Sequence, residues 1–202
     1  MRKASELFAT DIRDLRDLIL NLITDSKSMW HPLGFVSCTI IKDDTGVLKL
    51  HYWPANDRRE KRPNWPIHDH AFHIHSQVLL GRVMSNFYDV SPGSDYRRYY
   101  VGYEGSDSIL VPTDDLVDCE LAERTVQAAG DRYEIAYKRY HENVVAAASE
   151  AMTLVYKEPP SSNEDAMVPP NVIGTIKIPN LPMYQRTEYS SDTILNVFKS
   201  LF

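Results

Sequence analysis

The sequence predicts an all-β domain, a barrel or sandwich of short antiparallel strands, with a helix ahead of it and a minor helix behind. Three observations carry this. Apolar residues recur at helical spacing mainly near the two ends of the chain. Between those ends, short β-rich runs alternate with turn signals at close intervals. A length of 202 residues, 43% of them hydrophobic, suffices for one sizeable core and is too short for two comfortable domains.

Taken in order, Phe8, Ile12, Leu15, Leu18, Ile19, Leu22 and Ile23 recur at three- and four-residue steps, interleaved with Asp11, Arg13, Asp14, Arg16 and Asp17. This is the pattern of one amphipathic helix whose apolar stripe covers another element. After "HPLG" come the runs "FVSCTII", "VLKLHYW", "HIHSQVLLGRVMSNFYDV", "RRYYVGY", "RYEIAYKRY" and "AMTLVYK". The stretches "KDDTG", "SPGSD" and "EGSD" punctuate them as turns, and several short strands with regular turns point to a sandwich or barrel. "DDLVDCELAERTVQAA" reads as a short helix ended by Gly130 at its C′ position, and "SDTILNVFKSLF" as a closing amphipathic helix. The proline-rich "EPPSSNEDAMVPPNVIGTIKIPNLP" is expected as a belt over the barrel. The chain is therefore read as one domain: a helical segment over 1–30, a barrel core over 34–160 and a C-terminal extension over 161–202.

Composition narrows the function. A net charge of −6 argues against a nucleic-acid partner, because phosphate binding needs a clustered basic surface. No run approaches the length of a membrane span, and the first residues turn acidic before a signal region forms, so a cytoplasmic protein without a membrane partner is expected. Cys38 and Cys119 are too few for a disulfide scaffold or a thiolate zinc site. They are expected in the core. Any metal must lean on histidine or carboxylate, and the expected partner is a small molecule.

Four of the seven histidines, His68, His70, His73 and His75, fall within "HDHAFHIH". Residues two apart on a strand point to one face, so His68 and His70 can present two imidazoles to one interior point. A third ligand must come from elsewhere, and His141 follows "RYEIAYKRY", a strand that would lie antiparallel to the first. His75 has the opposite parity and joins the pair only across a bulge, whereas His73 points away in a regular strand. A His-x-His pair by itself is also compatible with a structural role.

The spacing resembles the two motifs of the cupin superfamily. In the first, His68-x-His70 is followed by four residues, His75, five residues and Gly81. In the second, Gly130 is followed by ten residues and His141. Several turn residues of those motifs are absent: Arg62 stands at the leading glycine, Ala136 at the proline, Lys138 at the inner glycine and Val145 at the asparagine, with Asn143 nearby. Within cupins, residues 34–160 resemble the cysteine dioxygenase family, through "GVLKLHYW" leading to "IHDH", "QVLLGRVMSNFYDV", "YHEN" and "LVYKEPP".

That resemblance implies a cupin-type, jelly-roll barrel with Fe(II) held by His68, His70 and His141, and an active-site tyrosine at Tyr156. It implies a dioxygenase using a small-molecule substrate and dioxygen. His75 aligns with a ligating glutamate of the wider superfamily, so a fourth ligand is expected there, a hydrogen bond to Tyr156 being the alternative. The family's substrate-binding arginine falls near Val36, its histidine partner of the tyrosine on Leu154, and its cross-linking cysteine on His75. Cysteine is thus a doubtful substrate.

Three neutral imidazoles leave a divalent ion its full charge, which favours a thiolate, enolate or carboxylate beside dioxygen. Manganese, nickel and zinc are the alternative metals. An isomerase, lyase or C–C-cleaving dioxygenase, and a non-catalytic ligand-binding cupin, are the alternative activities. "NDRREKR", with Arg58, Arg59, Lys61 and Arg62, could replace the missing arginine or be a solvated loop. Tyr96, Tyr99, Tyr100 and Tyr103 read mainly as a strand packed on one face, a pocket rim being the alternative, and His31 and His51 as structural.

Overall fold

Two helices form at the N-terminus, α1 over Ala4–Ala9 and α2 over Arg16–Thr24, where the continuous apolar spacing predicted one. The break has a local cause. Asp11 Oδ1 accepts the backbone N–H of Arg13 at 2.9 Å, and the Asp11 carboxylate also holds the Arg13 guanidinium, so side-chain bonding competes with the helix ladder. The spacing survives the break because both helices and the turn between them face the same sheet. This computed structural model describes residues 2–59, 61, 63–105, 107–160, 168–180 and 183–202.

Seven strands form the larger sheet. They are β1 (Ser28–Trp30), β2 (Val36–Asp43), β3 (Gly46–Trp53), β4 (His73–Leu80), β7 (Arg132–Ile135), β9 (Ala151–Glu158) and β11 (Glu188–Tyr189). Their order is β11-β1-β2-β3-β9-β4-β7, and every pairing is antiparallel. The second sheet joins β5 (Arg82–Glu104), β6 (Asp107–Ala128) and β10 (Asn171–Gly174), with β8 (His141–Val144) also on β5. The fold is the all-β, antiparallel architecture that the sequence predicts.

One expected helix is a strand. All but the last residue of "DDLVDCELAERTVQAA" lies within β6, paired to β5 from Arg82↔Ala128 to Glu104↔Asp107. Helix propensity is worth only tenths of a kcal/mol per residue, and a partner strand of 23 residues offers a continuous ladder against it. Gly130 accordingly follows a strand, at φ 98, and not a helix. "SPGSD" is likewise no chain reversal but a register shift inside β5 between Pro92 and Tyr96, where Asp118 Oδ1 accepts the backbone N–H groups of Ser94 and Asp95. The KDDTG and EGSD turns do reverse the chain, into β3 at Gly46 and into β6 after Gly105.

The main core lies outside the barrel. Leu48, Leu50, Tyr52, Met152, Leu154 and Tyr156, on one face of β3 and β9, pack beneath Leu7, Leu15, Ile19 and Ile23 of the N-terminal segment and beneath Ile194 and Phe198 of the closing helix α3 (Ser191–Lys199). Helix α3 starts where Ser190 Oγ accepts the Thr193 N–H. With the outer face covered by helices, the inner face is free to carry polar side chains. Among the described residues no helix is long and apolar enough to cross a membrane. Because Phe198 is fully buried in the outer core, Phe198→Ala is expected to cost about 3–5 kcal/mol in chemical denaturation.

Candidate metal centre

The residues that come together are His68, His70 and His141. One nitrogen from each lies within 4.8 Å of the others, and the ring centroids are 4.5 to 5.0 Å apart. Backbone pairing explains the convergence. His68 and His141 exchange both backbone hydrogen bonds, His68 N–H to His141 O at 3.0 Å and His141 N–H to His68 O at 2.9 Å, so their side chains share a face. His70, two residues on from His68, joins that face. Its carbonyl accepts the Lys138 N–H at 3.1 Å.

Lys138 stands where the second cupin motif carries glycine, and its φ of 58 keeps the left-handed turn that glycine serves. The lysine is held there by its side chain, which reaches Asp69 Oδ1 at 3.5 Å and the Pro169 carbonyl. Asp69 points away from the histidines. It is 2% exposed, and it accepts the Asn171 N–H at 2.6 Å and the Asn171 side-chain amide at 2.8 Å. With Asp69 N–H to Asn171 O and Ile173 N–H to Ile67 O, it fastens the histidine segment to β10. Trp65 seals the same junction: it lies so close to Gly174 that an added Cβ would sit 2.4 Å from its ring.

The donor set fits a borderline divalent metal such as iron or zinc. His68 Nδ1 donates to Pro66 O at 2.8 Å and His141 Nδ1 to Arg139 O at 3.4 Å, which leaves the Nε2 lone pairs for a ligand. Burial pushes the pKa of His68 down, and those of His70 and His141 well down, so all three stay neutral at physiological pH. They could hold one ion without first losing a proton.

The structure does not bring His75 or Tyr156 to this group. Both lie on the opposite face, because β4 runs regularly from His73 and no bulge precedes His75. His75, expected as a fourth ligand, hydrogen-bonds Glu134 through Nδ1 at 3.0 Å and Glu158 through Nε2 at 2.9 Å. Tyr156, the expected active-site tyrosine, stacks with His75 and Phe8 of α1, and its hydroxyl donates to Thr45 O. His73 is exposed. The loop "NDRREKR" is mostly structural as well: Arg58 donates to the carbonyls of Pro54, Ala146 and Ser149, and Arg59 covers Trp30 and reaches Thr187. Arg62 lies outside the described residues. Of the loop's described residues only Lys61, paired with Glu142 at 3.8 Å, lines the cavity.

That cavity, of about 190 Å³, opens beside the three histidines. By the same measure one water needs roughly 10–15 Å³, so a small organic molecule fits. Part of its lining carries no motif in the sequence. His31 and His51 face it, as do Lys49, Lys157 and Arg186. Leu33 N–H donates to His31 Nδ1 at 3.2 Å, and the His31 ring stacks on Phe35 at 4.4 Å. Burial lowers Lys49 to about 8 and Lys157 well below its ordinary value, the neighbouring cations adding to the effect. The signal was present in "VLKLHYW", where Lys49 and His51 interrupt an apolar alternation.

The buried bases set a pH dependence. Burial is the main cause that holds His31, His51, His70 and His141 well below 6.5 in the fold. The unfolded chain therefore binds more protons between those lowered values and 6.5, and stability rises with pH across that window. The metal-free protein is expected to lose thermal stability as pH falls below 6.5, measurable as a declining Tm, with His51→Gln making the decline shallower.

By sequence, no family model and no curated protein matches the chain. Similar solved structures include the hydroquinone 1,2-dioxygenase PnpCD in complex with Cd2+ and 4-hydroxybenzonitrile, at 10% identity and TM-score 0.36 over 61% of this chain. Another is the hydroquinone 1,2-dioxygenase of Sphingomonas sp. TTNP3 with 4-hydroxybenzoate bound, at 11% identity and TM-score 0.37 over 60% of this chain. The chain spans 63% and 65% of those two chains' lengths. A third is Drosophila melanogaster CENP-C bound to CAL1, at 12% identity and TM-score 0.38, covering 73% of this chain and 100% of that one.

Proposed function

We propose that the chain is a non-heme Fe(II)-dependent dioxygenase or oxidase acting on a small anionic molecule, with His68, His70 and His141 as the iron ligands. The observation that carries this reading is the convergence of three neutral imidazoles, one buried and two half-buried, on one wall of a cavity large enough for an organic substrate. Divalent iron, when bound, supplies the redox chemistry that dioxygen requires and a positive charge that favours a thiolate, enolate or carboxylate.

The chain's own residues orient and exclude. Pro66 and Arg139 carbonyls fix the imidazole tautomers of His68 and His141, and the Asp69–Asn171 clamp fixes the backbone that carries His68 and His70. Phe72, Ile74, Val155 and Val172 supply apolar walls, which keep water from the reacting atoms. The test is oxygen uptake by protein loaded anaerobically with Fe(II), across a panel of small thiols, 1,3-diketones and carboxylates. Uptake that needs both iron and one class of substrate, and that is lost in His70→Ala, is expected. Uptake that proceeds equally in the iron-free protein would refute it.

A further inference from the structure

We infer that Lys49, Lys157 and Arg186 form an oxyanion subsite in the cavity, and that the substrate carries a group of double negative charge, two carboxylates or a phosphate, apart from the atom presented to the metal. This rests on the cavity being the substrate site, as proposed above.

The three cations arrive from three separate elements. Lys49 stands on β3, Lys157 on β9 and Arg186 on the segment leading into β11, and all three line the cavity. That segment is held in place: Trp30 N–H donates to Thr187 O at 2.9 Å, and Tyr184 exchanges both backbone hydrogen bonds with Ser108. Among the described residues, no carboxylate forms an ion pair with any of the three. Asp69, the one acidic residue among the described residues that line the cavity, already engages its oxygens with Asn171 and Lys138. Arg186 Nε is buried without a hydrogen-bond partner.

Such an arrangement costs the fold. Burial removes the water that would solvate Lys49 and Lys157, and the Arg186 charge lowers the proton affinity of both further. Buried charge is normally compensated by an opposite charge, and among the described residues no carboxylate compensates these three. A ligand that brings two negative charges supplies it, with the guanidinium offering a planar fork and the two ammonium groups point charges. The subsite adjoins the histidines: Lys157 Nζ lies 4.3 Å from the centroid of the Phe72 ring, and that ring stacks on His70 at 4.9 Å. One small molecule can therefore touch both.

The experiment uses metal-free full-length protein, so that it is independent of iron. Calorimetric titrations with succinate, benzoate and inorganic phosphate are compared in wild type, Lys157→Met and Arg186→Gln. Binding of succinate or phosphate more tightly than benzoate is expected, weakened about tenfold or more in each variant. Preference for succinate or for phosphate then distinguishes the two kinds of dianion. Lys157→Met should also raise the Tm of the ligand-free protein, because it removes an uncompensated cation, whereas a lysine needed for packing would lower it on replacement. Wild type that binds none of the three probes, or variants that bind them as wild type does, would overturn the subsite. Failure of iron to bind would leave this result standing and overturn only the metal reading.

Discussion

Replacing His70 with alanine should lower metal affinity on the order of 100-fold or more and abolish iron-dependent oxygen uptake, with the protein still folded. Two imidazoles cannot enclose an ion in a site shaped for three, and loss of an outer partner alone typically costs roughly 10–100-fold. The fold should survive because His70 belongs to the cavity wall and not to the apolar cluster under the helices. Circular dichroism and elemental analysis on the same sample check both parts. Equal metal content in variant and wild type would remove His70 from the ligand set.

Asp69→Ala should be the most damaging change that touches no substrate. It strips the acceptors from the Asn171 N–H and amide and removes the partner of Lys138, all at a site 2% exposed to water. Breaking such a buried charged network costs about 3–5 kcal/mol. Because Asp69 lies between His68 and His70, the loss should also loosen both ligands and reduce metal affinity roughly 10–100-fold. Asp69→Asn should retain one acceptor and fall between the two. Denaturation midpoints and metal titrations across the three proteins measure the effect, and unaltered metal affinity in Asp69→Ala would show that the histidine segment is held by other means.

The β architecture and the three converging histidines were legible in the sequence for definite physical reasons. Strand alternation fixed His68 and His70 on one face, and the spacing from Gly130 led to His141 even though Lys138, not glycine, takes the left-handed turn. Strand β9 was less legible. "AMTLVY" is apolar on both faces and buried throughout, so alternation gave no direction, and the resemblance pointed inward at Tyr156 when the residues facing the cavity are Val155 and Lys157. His75 failed for the related reason that the superfamily alignment outweighed its parity. "DDLVDCELAERTVQAA" misled because its apolar positions fit a helical spacing, while the partner that decides its conformation, β5, lies far away in sequence. The cationic wall was hidden because Arg186 meets Lys49 and Lys157 only in the folded chain.

The central claim is that the cavity holds one divalent metal on three histidines. Anaerobic calorimetric titration of the metal-free protein with Fe(II) tests it most directly. The expected trace saturates at one ion per chain in wild type and is flat in His70→Ala. A wild-type trace indistinguishable from that of the variant would contradict the account.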